Sequence, residues 1–140
     1  MLSDTSRTAA STLAVAAGGA VGAACRYELW RLWPDSDAGF PVTTFFINIA
    51  GCFLFGICAY AFPEIDSGER AVVRSFLMFG VLGGFTTFSF FAIQGVTLTS
   101  PRLGVLYLAL TPVTAVGAVW AGRLSAMMMI GSSTRGRHAR

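Results

Sequence analysis

Four uncharged apolar stretches constrain this chain more than any other feature of its sequence. They cover residues 8–25, 40–62, 75–100 and 103–122, and the charged residues cluster between and beyond them. A bilayer core about 30 Å thick requires roughly 20 apolar residues of α-helix. The chain is 54% hydrophobic and only 12% charged, whereas an average soluble domain has roughly 25% charged residues. The sequence therefore predicts one all-α integral membrane domain over residues 1–140, with four transmembrane helices and a basic, disordered tail at 132–140.

The arginines predict how these helices are oriented. Short connections make neighbouring helices antiparallel and place both termini on one side. That side holds Arg7, Arg70, Arg74, Arg123, Arg135, Arg137 and Arg140, and the other holds Arg26, Arg31 and Arg102. By the positive-inside rule, we expect a cell (inner) membrane protein with both termini in the cytoplasm. The basic tail contains no aromatic residues, so it is interpreted as a topology signal that contacts lipid and does not bind nucleic acid.

The first stretch has a second interpretation, a lipoprotein secretory signal that ends at Cys25. Gly22 occupies a position where such signals usually have a larger aliphatic residue, so the stretch is interpreted as a span. Gly18 and Gly22 form a GxxxG spacing, which lets two membrane helices approach closely. Arg26 follows at the predicted water boundary, either as an anchor or as a group that attracts or orients an anion.

The second span contains polar residues that are expensive to bury in lipid. Asn48 requires either a hydrogen-bonding neighbour or a polar path. Interhelical hydrogen bonding alone would explain one asparagine. Thr44 lies four residues earlier and therefore on the same helical face, which favours a path.

The third span is interrupted by the run Gly83-Gly84-Phe85-Thr86-Thr87. Glycines and hydroxyl residues have weak helix propensity, so this helix is predicted to break near its middle. Lipid cannot satisfy freed backbone groups, so a broken helix must be buried in protein or line a polar cavity. Freed carbonyls suit an alkali cation and freed N–H groups suit an anion.

Two further features lie beyond the break. Phe88 and Phe91 share a helical face, and their positive ring edges are able to face an anion, although contact with lipid or core is commoner for phenylalanine. In the fourth span Pro112 predicts a kink, with Thr111 available either to bond the freed backbone or to face a path.

Segments of all four spans resemble the Fluc (CrcB) family of fluoride channels. These segments are GGAVGAACRY, FPVTTFFINIAGCFLFG, GVLGGFTTFSFF and YLALT. The third contains the family signature GGxTTFSxF at the helix break. The resemblance implies a fluoride-selective channel that exports fluoride by passive flow and is not an enzyme. It also implies an antiparallel dimer with two pores and a structural sodium ion on its two-fold axis.

The resemblance further implies roles for individual residues. The backbone carbonyls of Gly83 and Thr86 would coordinate the sodium ion. The pore and fluoride-binding residues would be Asn48, Phe88, Phe91, Thr44, Ser89, Thr111 and, near the vestibule, Arg26. A dimer also agrees with physical expectation, because four short helices with one broken cannot both enclose a pore and shield free backbone.

Two departures from the family pattern stand out. Phe90 and Gln94 replace the usual threonine and acidic residue, which removes a hydroxyl and a carboxylate from the polar track. The unequal arginine distribution suggests one fixed orientation. A homodimer and a heterodimer with a homologous subunit both remain open, and the arginine distribution favours the heterodimer.

Two other functions fit the sequence less well. A small proton-coupled exporter requires a carboxylate inside the membrane, and none of the seven acids lies within a predicted span. A non-transporting assembly subunit would use the glycine pair and the polar residues only for packing. The sequence has no nucleophile with a base, no metal cluster and no phosphate loop, so no enzymatic activity is predicted.

Overall fold

The computed structural model describes residues 4–36, 39–63 and 69–137, and every regular element in these ranges is a helix. Helix α1 covers Asp4–Leu32 and α2 covers Val42–Ala61. The third span comprises α3 (Glu69–Arg74), a π-helical segment (Ser75–Leu82), the single turn α4 (Gly83–Phe85) and α5 (Phe88–Thr97), and α6 covers Pro101–Arg137. Among the described residues, four segments are long and apolar enough to cross a membrane, so the four-span prediction is confirmed.

Helices α1 and α6 extend beyond the apolar stretches that predicted them. Helix α1 continues past Arg26, where Glu28 and Arg31 form an exposed ion pair at 2.8 Å. A helix satisfies its own backbone in water as in lipid, so its end need not coincide with the end of an apolar run. For the same reason residues 132–137 continue α6, although a disordered tail was predicted there. Residues 138–140 of that tail lie outside the described residues.

Close glycine contacts join α1 to the third span. A Cβ atom added to Gly80 would lie 2.9 Å from the Cα of Gly18, and one added to Gly22 would collide with the Val81 carbonyl oxygen. The packing role predicted for the GxxxG pair is therefore confirmed. Gly56 and Gly122 allow a similar approach between α2 and α6, where an added Cβ would meet the carbonyl oxygens of Val119 and Phe53.

The third span is broken at Thr86 and Thr87, as predicted. Both residues have extended backbone, with ψ of 160° and 123° respectively, and this separates α4 from α5. The π-helical segment immediately before the break was not anticipated from the sequence. Such segments are frequent at functional sites in helices. The break therefore lies in a region where the helix is irregular over more than the glycine and threonine run.

Candidate functional site

The side chain of Asn48 connects α2 to the break in the third span. Its Nδ2 donates to the Thr87 carbonyl oxygen at 3.0 Å, and its Oδ1 accepts from the Thr87 N–H at 2.8 Å. Asn48 is only 8% exposed, so these bonds form away from solvent. Helix α2 thus satisfies a backbone N–H that the break releases. A carboxamide has two N–H donors, and this bridge uses one of them.

The break also redirects the backbone N–H groups that would donate to the Gly83 and Thr86 carbonyl oxygens in a continuous helix. In an α-helix each N–H bonds the carbonyl four residues earlier, so Thr87 would donate to Gly83 and Phe90 would donate to Thr86. Here the Thr87 N–H donates to Asn48, and the Phe90 N–H donates to the Thr87 Oγ1 at 3.2 Å. The two carbonyls predicted to bind sodium, those of Gly83 and Thr86, are therefore among those that lose their helical donors at the break.

Arg26 reaches the break from α1. Its Nε donates to the Gly84 carbonyl oxygen at 3.1 Å, so it is more than an anchor at the water boundary. A cavity of about 300 Å³ lies beside it, lined by Ala23, Arg26, Tyr27, Trp30, Thr44, Ile47, Thr87 and Phe90. The fold thus brings the predicted residues Arg26 and Thr44 to one cavity next to the break.

The two predicted pore phenylalanines have different environments. Phe91 is buried against Tyr107, with ring centroids 5.1 Å apart, whereas Phe88 is 80% exposed. The Phe88 and Phe91 rings are 5.7 Å apart and tilted by 56°. Ser89 is exposed and forms no hydrogen bond with the described part of the chain. Phe88 and Ser89 thus lie on a surface that the described part of the chain does not cover.

Thr111 bonds within its own helix. Its hydroxyl donates to the Tyr107 carbonyl oxygen at 2.7 Å, one turn before Pro112. The structure therefore places the Thr111 hydroxyl proton on the backbone of its own helix, at a carbonyl other than that of Leu108, the one that Pro112 leaves without a donor.

Asp35 is a site residue that the sequence reasoning missed. Its Oδ1 accepts from the Thr43 N–H at 2.7 Å. Its Oδ2 accepts from the Thr44 N–H at 3.1 Å, from the Thr44 Oγ1 at 2.7 Å and from the Gln94 Nε2 at 3.1 Å. The connection between α1 and α2 therefore places a carboxylate against Gln94, the residue that stands where the family pattern has an acid. An acid nine residues before Thr44 has no recognisable capping spacing, so no signal in the sequence pointed to it.

The two departures both have partners in the structure. Gln94 donates to Asp35 through Nε2, and its Oε1 accepts from the Tyr107 hydroxyl at 3.4 Å. The Phe90 ring packs edge-on against Trp30 with centroids 5.9 Å apart. A hydrogen-bonded chain therefore runs from Asp35 through Gln94 to Tyr107.

The fold and the site together define a class, small four-span membrane proteins whose broken third helix is held by a polar side chain of a neighbouring span. The family model described as CrcB-like protein, Camphor Resistance (CrcB), matches residues 13–123. The chain belongs to the CrcB family, and the resemblance read from the sequence is confirmed.

Curated relatives are similar over most of their length. Fluoride-specific ion channel FluC 1 of Streptomyces coelicolor is 46% identical over 118 residues, which cover 81% of this chain and 76% of the relative. FluC of Rhizobium meliloti is 40% identical, with 79% and 90% covered. FluC 2 of Nocardia farcinica is 35% identical, with 88% and 89% covered.

Proposed function

We propose that this chain forms a fluoride-selective channel in the cell membrane that exports fluoride from the cytoplasm by passive flow. The observation that carries the proposal is the buried Asn48 amide, which holds the break with one N–H and retains a second donor. Fluoride is small and strongly hydrated, so a narrow path must replace its water with such donors. The relatives named above as fluoride-specific ion channels support the choice of anion.

Other residues are assigned to the path by chemistry and position. Arg26 carries five N–H donors, one of which bonds Gly84, and its charge raises the local anion concentration in the adjoining cavity. Phe88 and Phe91 present ring edges that attract an anion without binding it tightly. Ser89 has a hydroxyl with no partner among the described residues. The Thr44 and Thr111 hydroxyls must turn away from their present acceptors before they contact fluoride.

We further propose that the channel is an antiparallel dimer. Phe88 is 80% exposed just beyond the break. A Cβ atom added to Gly83 would meet only the Met78 carbonyl oxygen, at 3.9 Å, so the space around Gly83 is open in one chain. Lipid cannot satisfy the Gly83 and Thr86 carbonyls that lost their helical donors. A two-fold related partner would cover both the exposed Phe88 ring and the open space around Gly83. The arginine distribution, which predicts cytoplasmic termini, favours a homologous partner of opposite orientation over an identical chain.

The residues at the break fit a structural sodium ion. The Gly83 and Thr86 carbonyls have lost their helical donors, and neutral carbonyl oxygens suit an alkali cation. Two subunits would contribute two such pairs at one point on the axis. When bound, the ion supplies the positive charge that satisfies these oxygens.

Fluoride efflux from liposomes tests the proposed function. Vesicles containing the purified chain, alone or with its homologous partner, should release fluoride and retain chloride. Phe88→Ile and Asn48→Asp should abolish most fluoride efflux, because the first removes a ring edge and the second adds a negative charge beside the path. Phe46→Ile, which alters an exposed ring on α2, serves as the matched control. No fluoride efflux in either reconstitution would refute the channel.

A further inference from the structure

Asp35 has no place in the ion path described above, yet it is the most heavily hydrogen-bonded acid in the described part of the chain. Two backbone N–H groups at the start of α2, the Thr44 hydroxyl and the Gln94 amide all donate to it at 2.7–3.1 Å. Gln94 belongs to α5 and lies 59 residues away in sequence. The carboxylate therefore connects two spans as well as capping one of them.

The charge of Asp35 fixes the direction of both hydrogen bonds in the series that runs from Asp35 through Gln94 to Tyr107. An ionised carboxylate only accepts hydrogen bonds, so Gln94 must turn its NH₂ group toward Asp35. The Gln94 Oε1 then faces Tyr107, and a carbonyl oxygen only accepts, so the Tyr107 hydroxyl must donate to it. The single proton of the Tyr107 hydroxyl is thereby directed to Gln94.

Tyr107 occupies a position where the direction of that proton matters. The residue is fully buried, and its ring lies 5.1 Å from Phe91 and 5.2 Å from Phe40. A buried hydroxyl that turned its proton toward Phe91 would offer a strong hydrogen bond to an anion there. A proton held by Gln94 offers none.

We infer that Asp35 is a positioning residue for the ion path, and that it acts through Gln94 to keep the Tyr107 hydroxyl proton away from an anion beside Phe91. The inference rests on the proposed function for the identity of the anion. It assigns Asp35 a role in letting fluoride leave. Because the Tyr107 proton is directed to Gln94, the path has one hydrogen-bond donor fewer to retain the ion, while its other donors still admit it.

A purely structural role for Asp35 makes a different prediction. If the carboxylate only caps α2, its replacement acts on the helix end and the effect does not depend on Gln94 or Tyr107. Asparagine has one acceptor oxygen instead of two, so Asp35→Asn with its NH₂ group in place of Oδ2 keeps the bond to the Thr43 N–H and loses the bond to the Thr44 N–H. The introduced NH₂ group cannot accept from Gln94, so the Gln94 amide turns over and the Tyr107 hydroxyl loses its acceptor.

The test combines a double-mutant cycle with a spectroscopic readout. Fluoride efflux is measured for wild type, Asp35→Asn, Tyr107→Phe and the double variant. Asp35→Asn should slow efflux about ten-fold, since a hydrogen bond to a charged partner is worth an order of magnitude or more in occupancy. In the Tyr107→Phe background it should change efflux by less than about two-fold, because coupled residues are non-additive.

Raman spectroscopy of the purified protein follows the hydrogen-bond direction without relying on transport. The Raman signal of Tyr107, isolated by difference against Tyr107→Phe, should change in Asp35→Asn from that of a hydrogen-bond donor to that of a hydrogen-bond acceptor. Gln94→Leu keeps Asp35 and its cap and should also remove the donor signature, which covers the case in which Asp35→Asn fails to fold. Glu28→Gln removes an exposed acid paired with Arg31 on the same side of the membrane and should alter neither readout.

The outcomes separate this inference from the proposed function. An unchanged Raman signature in Asp35→Asn, or an efflux defect that persists with Tyr107→Phe, would overturn the positioning role while the wild-type channel still conducts. A wild-type protein that conducts no fluoride refutes the channel, and with it the functional part of this inference, whereas the Raman result still decides whether Asp35 directs the Tyr107 hydroxyl.

Discussion

Replacing Asn48 with alanine is expected to lower the free energy of unfolding by about 1–3 kcal/mol, because hydrogen bonds between membrane helices are worth about 0.6 and at most about 1.7 kcal/mol each. Two such bonds are lost, at 3.0 and 2.8 Å, and both join the side chain to Thr87. The substitution also leaves the Thr87 N–H without its partner in a half-buried position. Asn48 therefore stabilises the break as well as contributing to the proposed path.

Reversible unfolding in mixed detergent and dodecyl sulfate micelles measures this loss, with the fluorescence of Trp30, Trp33 and Trp120 as the signal. Protein concentration must be constant, since dimer formation contributes to apparent stability. Thr97→Ala is the matched control: its exposed hydroxyl bonds only carbonyls of its own helix, at 2.9 and 3.4 Å. The control should stay within about 0.5 kcal/mol of wild type, the usual range for surface substitutions.

A loss of less than about 0.5 kcal/mol for Asn48→Ala would refute the bridging role, since that is the range of substitutions with no structural effect. It would mean that the freed Thr87 N–H returns to the Gly83 carbonyl and that the third span closes into a continuous helix without cost. The break would then be a property of residues 83–87 alone and would not depend on α2.

Three further predictions concern the break and the helix contacts. Gly22→Ala should reduce the yield of folded protein in size-exclusion chromatography, because its Cβ collides with Val81 in the third span; Gly19→Ala, whose Cβ meets nothing within 4 Å, should not. Thr87→Val should destabilise the protein by about 1 kcal/mol through loss of the α5 cap. Equal melting temperatures for Thr87→Val and Thr87→Ser in thermal denaturation would contradict this. Sodium should stabilise the dimer against dilution more than potassium does. Gly83→Ala should reduce this difference between sodium and potassium, whereas Gly117→Ala, which has open surroundings on α6, should preserve it. Equal dimer stability in the two cations would argue against the sodium site.

The membrane setting explains why so much of the fold is readable from the sequence. In lipid a chain must satisfy its own backbone, so a long apolar run forms a helix whatever its neighbours are. The four runs therefore fix the number and order of the spans. The run at 83–87 fixes the break by the same logic, because glycine and threonine lower the helix propensity inside a span that otherwise has only one stable conformation.

Residue-level contacts at the site follow a different logic, because they depend on which helices become neighbours. The Asn48 bridge joins residues 39 apart, and the bond from Gln94 to Asp35 joins residues 59 apart. Patterns within one helix carry no information about such pairs. The sequence correctly marked Asn48 as a residue that needs a partner, but the partner itself, the Thr87 backbone, required the packed structure.

The uncharged stretches and the polar run in the third span thus determined a four-helix membrane protein with a broken helix. The family resemblance predicted the roles of its site residues. Tertiary structure decided that the Gly83 and Thr86 carbonyls lose their donors to side chains, that Phe91 is buried while Phe88 is exposed, and that a carboxylate from the connection between α1 and α2 hydrogen-bonds Gln94. The reason is physical: lipid imposes helicity on each span separately, whereas hydrogen bonds across spans form only where packing brings a donor and an acceptor within about 3 Å.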